Sequence, residues 1–117
     1  MDEQGFKQRT KKLALRVIDL FDALPKSRTA DVIGRQLLRS ATSVGANYRA
    51  ACRGKSTADV VAKLAIVEEE ADESAYWLEL LIEANIVPEG EVVELLRETN
   101  EIVAMTVASI KTLRGRL

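Results

Sequence analysis

Leu38-Arg39-Ser40-Ala41-Thr42-Ser43-Val44-Gly45-Ala46-Asn47-Tyr48-Arg49-Ala50-Ala51 is the stretch on which the reading of the fold turns. It is rich in poor helix formers, yet Leu37, Ala41, Val44, Tyr48 and Ala51 recur at the three- and four-residue spacing of one helix face. Something must compensate for the weak propensity. Ser40, Ala41, Ser43, Gly45, Ala46, Ala50 and Ala51 carry little bulk, so a neighbouring helix backbone can approach closely, with Ser and Asn offering hydrogen bonds across the contact. Extended backwards, the same face takes in Val32 and Ile33, with Thr29 or Asp31 as the cap, and Gly54 stops the helix.

Three further helices follow from the breaks on either side. Phe6, Leu13, Val17, Leu20, Phe21 and Leu24 form one apolar face that Pro25 ends. After Gly54-Lys55-Ser56, a cap at Ser56 or Thr57 and an acid at Asp59 open a third segment whose face is Val60, Leu64, Val67, Ala71, Leu78 and Leu81. Beyond Asn85-Ile86-Val87-Pro88, a fourth spaces Val92, Leu96, Thr99, Val103, Thr106, Ile110, Leu113 and Leu117 as heptads. The expected helices are about 5–24, 30–53, 57–84 and 89–114. Matched lengths of roughly 30 to 43 Å at 1.5 Å per residue, joined by short loops, make antiparallel neighbours. The fold expected is all-α, an up-down-up-down four-helix bundle in a single domain over residues 1–117.

Composition agrees. Of 117 residues, 47% are apolar and 30% charged, a balance that suits neither a wholly disordered chain nor one made of membrane spans. Only 4% are aromatic, with 6 Gly and 2 Pro, too little punctuation for many short strands. The acidic start Met1-Asp2-Glu3 lacks the cations and apolar run of a signal peptide, so a cytoplasmic location without membrane attachment is expected.

The chemistry is narrow. There is no histidine, hence no usual general base, metal ligand or neutral-pH switch. Glu70 and Glu73 have the spacing seen in di-metal bundles, but the first two segments offer only Asp19, Asp22 and Asp31 as partners, so no metal site is assigned. Ser40 and Ser43 lack an activating base and read as packing residues, and the lone Cys52 reads as a small, half-buried side chain. No catalytic residue and no cofactor are expected.

Charge is divided along the chain. Residues 1–28 carry 7 basic and 4 acidic groups and residues 29–55 carry 5 and 1, so the first hairpin has a net charge of +7. Residues 56–87 carry 1 and 8 and residues 88–117 carry 4 and 5, leaving the second at −8. The two halves either neutralise one another within one bundle or meet their opposites on neighbouring copies, a head-to-tail contact that can close into a ring. Lys7, Arg9, Lys11, Lys12 and Arg16 offer a basic stripe for phosphates. An antiparallel turn near residue 55 sets Arg39 opposite Asp72, Ser43 opposite Glu68 and Asn47 opposite Leu64. Arg39 is thus expected to form a partly buried network with one or more of Glu68, Glu70, Asp72 and Glu73, setting register more than adding stability. Adjacent Tyr76 and Trp77 point about 100° apart on a helix, so both cannot lie in one core stripe, and one is a candidate subunit contact.

These residues carry a resemblance. Leu24-Pro25-Lys26, the run Gln36 to Ala50, Lys63-Leu64-Ala65-Ile66 and Glu70-Ala71-Asp72-Glu73-Ser74-Ala75-Tyr76-Trp77-Leu78-Glu79-Leu80-Leu81 are similar to the four-helix bundle proteins encoded in intervening sequences of large-subunit ribosomal RNA genes. The resemblance spans about residues 6 to 85. It implies an up-and-down bundle that assembles as a homo-oligomer, with a five-membered ring the arrangement associated with the family, and no known enzyme activity. A related group that accompanies retroelement reverse transcriptases adds the implication of a nucleic-acid-binding scaffold. The chain departs from the family pattern at Glu69, where Lys is common, which accentuates the acidic face and leaves the first hairpin as the candidate RNA surface. Two functions are therefore expected in order: a non-enzymatic homo-oligomeric scaffold that binds RNA through its basic N-terminal helix, or a protein-interaction module with no nucleic-acid role.

Overall fold

A computed structural model describes residues 2–117, apart from the side chain of Glu91, as four helices: α1 (Glu3–Ala23), α2 (Arg28–Cys52), α3 (Thr57–Glu83) and α4 (Glu89–Arg114). Side-chain oxygens begin three of them. Asp2 accepts from the Gly5 amide at 2.9 Å, Ser27 from Ala30 at 3.1 Å and Ser56 from Asp59 at 3.1 Å, each satisfying an otherwise free N–H. The cap of α2 is therefore Ser27, not Thr29 or Asp31, and α1 starts two residues earlier than expected, from a cap at Asp2. Pro88 precedes α4 without a side-chain bond, its fixed φ serving in place of one. Asn85, at φ 58°, takes the left-handed position that ends α3. At Gly54 a Cβ would lie 2.3 Å from Val60 Cγ2, so the α2–α3 turn is tight enough to need glycine.

The helices run antiparallel in sequence order. Phe6 meets Tyr48 edge to face at 4.7 Å, and a Cβ at Gly34 would lie 2.9 Å from Phe21, so early α1 pairs with late α2 and late α1 with early α2. Arg39 and Ser40 reach Glu73 and Ser74 across α2–α3, while Val60 and Leu64 share a cavity with Ser109 and Leu113 across α3–α4. The result is an all-α four-helix bundle, 47 × 20 × 19 Å. Contact is most extensive between α2 and α3 and least between α1 and α4.

The core follows the expected faces with informative shifts. Phe6, Leu13, Val17, Leu37, Ala41, Val44, Val67, Ala71, Leu78 and Leu81 are buried as their spacing requires. Val61 is buried in place of Val60, and Val32 is 57% exposed, since Ala30 and Gly34 turn inward beside it. In α4 the core takes Leu95 and Ile102 where the heptad reading takes Leu96 and Val103, which are only half-buried, and Leu117 is exposed. Helix α4 has two apolar stripes, and periodicity alone does not choose between them. Thr10, Thr99 and Thr106 are buried with their hydroxyls donated to carbonyls four residues back, at 2.7 to 3.0 Å. No helix among the described residues is long and apolar enough to cross a membrane.

Candidate functional site

The α2–α3 seam assembles the predicted network in part. Arg39 Nη2 donates to Glu73 Oε1 at 2.8 Å, and its Nη1 lies 3.6 Å from Glu70 Oε2. Glu73 Oε1 also accepts from Trp77 Nε1 at 3.2 Å, so Trp77 belongs to the network. Glu68 and Asp72 stand outside it: the true register offsets Arg39 by one residue from Asp72, and a one-residue offset on a helix is a turn of about 100°. Ser43 and Asn47 also differ from expectation. Ser43 donates to the Arg39 carbonyl and Asn47 to the Ser43 carbonyl, both at 2.8 Å, so each bonds its own helix rather than α3. Besides Arg39, the polar contact that crosses is Ser40 to Ser74, 2.9 Å apart and fully buried, with Ser74 also 2.8 Å from the Glu70 carbonyl.

A second network, not foreseen, joins α1 to α4. Arg9 grips Glu98 with both arms of its fork, Nε to Oε2 at 2.9 Å and Nη2 to Oε1 at 2.6 Å, and its Nη2 also reaches Glu101 at 3.4 Å. Hydrogen bonding to Glu98 raises the guanidinium pKa despite partial burial. The signal was present in sequence as an up-down bundle's antiparallel α1–α4 edge, but the stretch between the two helices is too long to fix a register by turn geometry.

Arg9 is thereby withdrawn from any phosphate-binding role, and the five basic residues of α1 do not form one stripe. Residues 7 and 11 share one side of a helix, and 9, 12 and 16 another. Lys7 and Lys11 border a groove between α1 and α2 of about 500 Å³, whose floor is Thr10, Ala14, Gly45 and Ala46 and whose opposite wall holds Thr42 and Arg49. Gly45 matters here, since a Cβ would sit 3.2 Å from Thr10 Oγ1, so the two helices close on a shallow floor. Lys12 and Arg16 lie beyond, lining a depression with Arg9 and Glu98. Among the described residues, Lys7, Lys11 and Arg49 make no ion pair.

Elsewhere Tyr76 is 53% exposed and packs edge-on against Trp77 at 5.2 Å. At the end of the bundle a cavity of about 580 Å³ is lined by Glu3, Tyr48, Cys52, Leu64 and Met105, among others. Burial pushes the Cys52 thiol up, with a hydrogen bond to Glu3 adding to the effect and one from Tyr48 opposing it. Burial likewise raises the Tyr48 phenol. Among the described residues, no three acidic or cysteine side chains gather as metal ligands.

Fold and surfaces together define an all-α bundle whose chemistry lies in charge spread over its helix faces. The chain belongs to the 23S rRNA-intervening sequence protein family, whose model matches residues 3–108. It is also similar to a solved structure described as a protein with unknown function from the S23 ribosomal protein family of Bacteroides thetaiotaomicron VPI-5482. The two are 34% identical, with 95% of this chain and 99% of that one covered and a TM-score of 0.87. No curated protein matches the chain. The family and this neighbour indicate no catalytic class.

Proposed function

We propose that the chain is a non-enzymatic scaffold that acts as a homo-oligomer, a five-membered ring on the family resemblance, and docks RNA through phosphates laid along the α1–α2 groove. The observation that carries the RNA reading is the convergence of Lys7, Lys11 and Arg49 on one groove with no carboxylate engaging them. Cations without carboxylate partners are free to neutralise phosphates, and the counterions that the polyanion then releases are what drive association. Gln4, Gln8 and Thr42 on the same walls supply neutral donors to phosphate or ribose oxygens. The shallow floor of Thr10, Ala14, Gly45 and Ala46 lets a backbone sit between the two rows rather than above them. This narrows the expected surface to Lys7 and Lys11 of the α1 residues and adds Arg49.

The test is fluorescence anisotropy of a labelled single-stranded RNA titrated with the protein over a range of salt. Three phosphate contacts predict a slope of log K on log salt of about −2, from roughly 0.7 per contact. Reversing Lys7, Lys11 and Arg49 to Glu is expected to abolish binding. Absent or salt-insensitive binding would overturn the RNA reading and leave the chain as a protein-interaction module, with exposed Tyr76 on the acidic α3 as its anchor.

A further inference from the structure

The second apolar stripe of α4 has a counterpart on the same molecule. Because the core takes Leu95, Thr99, Ile102 and Thr106, the neighbouring heptad positions are only partly covered: Val93, Leu96 and Val103 are half-buried, and Asn100 and Val107 are exposed. Val93, Leu96, Asn100 and Ala104 line a shallow depression there, and Val107 is 42% exposed. The depression is framed by acids. On α3, Glu70 and Glu73 face α2 and Ala71, Ala75 and Leu78 face the core, so Glu68, Asp72 and Glu79 fall by helical periodicity on the opposite edge, beside α4. Glu101 lines the other side of the depression, and Arg97, the cation within it, is held by Glu94 at 2.6 Å. Among the described residues Glu68, Asp72 and Glu79 make no ion pair. This is an apolar seat in an acidic rim.

The matching knob is on α1. Leu15 is 55% exposed and stands opposite the buried face of Phe6, Leu13 and Val17, flanked by Lys12 and Arg16, which among the described residues make no ion pair. Asp19 and Asp22 are the acids on that edge, one and two turns further on. The geometry points to a head-to-tail contact between two copies of this chain, in which Leu15 of one enters the α4 depression of the next while Lys12 and Arg16 meet Asp72, Glu79 and Glu68. Charge and apolar surface are complementary across these two faces, and each face is unlike itself, so a two-fold symmetric contact would oppose like charges. The same asymmetry lets the contact repeat, closing into a ring when the rotation per copy allows. Asn100 in the middle of the apolar stripe selects the register, as a lone polar residue does in a coiled-coil seam. Leu15 lies one turn from Lys11 and two from Gln8, so this contact borders the α1–α2 groove. This inference rests on the homo-oligomer reading and assigns its surfaces.

The experiment is light scattering behind a sizing column, without RNA, on the wild type, Leu15→Glu and Val107→Glu, with circular dichroism confirming that both variants stay helical. Both sites are exposed, so neither substitution opens the core. The wild type is expected at a multiple of 12.9 kDa and each variant at 12.9 kDa. Mixed in equal amounts, the variants are expected to give a species of twice that mass and nothing larger, because one intact knob meets one intact seat and the chain of contacts stops. The charge variants Lys12→Glu with Arg16→Glu, and Asp72→Lys with Glu79→Lys, repeat the test without touching an apolar residue. An oligomeric wild type whose variants keep its mass would overturn the assigned faces alone. A monomeric wild type would overturn the homo-oligomer reading and this inference together, while leaving the RNA titration to stand by itself.

Discussion

The two seams that join the first hairpin to the second are built on opposite principles. Between α2 and α3, small side chains draw the backbones together, Ser40 meets Ser74 in the dry interior, and Arg39 sits at the rim with its side chain 55% exposed. Between α1 and α4 there is little direct packing, and Arg9, more buried at 33% exposed, spans the gap to Glu98 with a two-pronged bond. An arginine at a close-packed seam refines what packing has already fixed. At a loose seam it is the joint. The division also explains why net neutrality misleads: +7 and −8 hairpins share these two arginine networks, and most of the remaining charge faces outward.

The contrast breaks most visibly under core truncation. Leu37 is fully buried in α2, and Leu37→Ala is expected to cost about 2–5 kcal/mol in urea unfolding, from lost transfer energy plus the cavity left behind. A cost below that of the Arg9 substitution would mean that packing does not dominate the α2 side. Arg9→Leu is expected to cost about 1–2 kcal/mol, because it strands a largely buried Glu98 carboxylate that accepts two charge-assisted bonds. Hydrogen exchange adds the location: amides of α1 should lose protection while those of α2 and α3 keep it. Equal loss in all four helices would contradict Arg9 as the joint of the α1–α4 seam alone. Arg39→Leu is expected to cost under about 1 kcal/mol, since the Arg39 side chain is 55% exposed, its Nη1 makes no hydrogen bond to Glu70, and Trp77 can still bond Glu73. A larger drop in melting temperature would promote Arg39 from rim to joint.

What the sequence disclosed follows the same line. Helices were legible because each has a strong local signal: Pro25 after Leu24, Ser56 ahead of Asp59, and apolar faces of regular spacing. The Arg39 partners Glu70 and Glu73 were legible because a short turn fixes the α2–α3 register to within a residue or two. That tolerance was still too coarse to separate Asp72 from Glu73. For Arg9 and Glu98 only the shared α1–α4 edge was legible and not the pairing, the two being 89 residues apart and joined by no local geometry. The choice between Leu95 and Leu96 in α4 was equally hidden, since both stripes are apolar and a neighbour decides which is covered. Side chains that turn back on their own helix, such as Ser43 and Asn47, defeat any reading that assumes polar residues reach across.

The smallest expected effect sharpens the comparison at the far end of the loose seam. Cys52 lines the cavity where the start of α1 and the end of α4 part, and its thiol is raised chiefly by burial. Alkylation proceeds through the thiolate, so iodoacetamide labelling at pH 8 should be slower than for a free cysteine and should rise only above the ordinary thiol range. The two neighbours then act in opposite senses. Glu3→Gln removes the charge that favours the protonated thiol and leaves a weaker, neutral acceptor, so labelling at fixed pH should quicken. Tyr48→Phe removes a donor that favours the thiolate, so labelling should slow even though the ring still packs on Phe6. If Arg9→Leu quickens Cys52 labelling and Arg39→Leu does not, the chemistry of one thiol reports which seam holds the bundle shut; equal acceleration by both would show that the two seams open together.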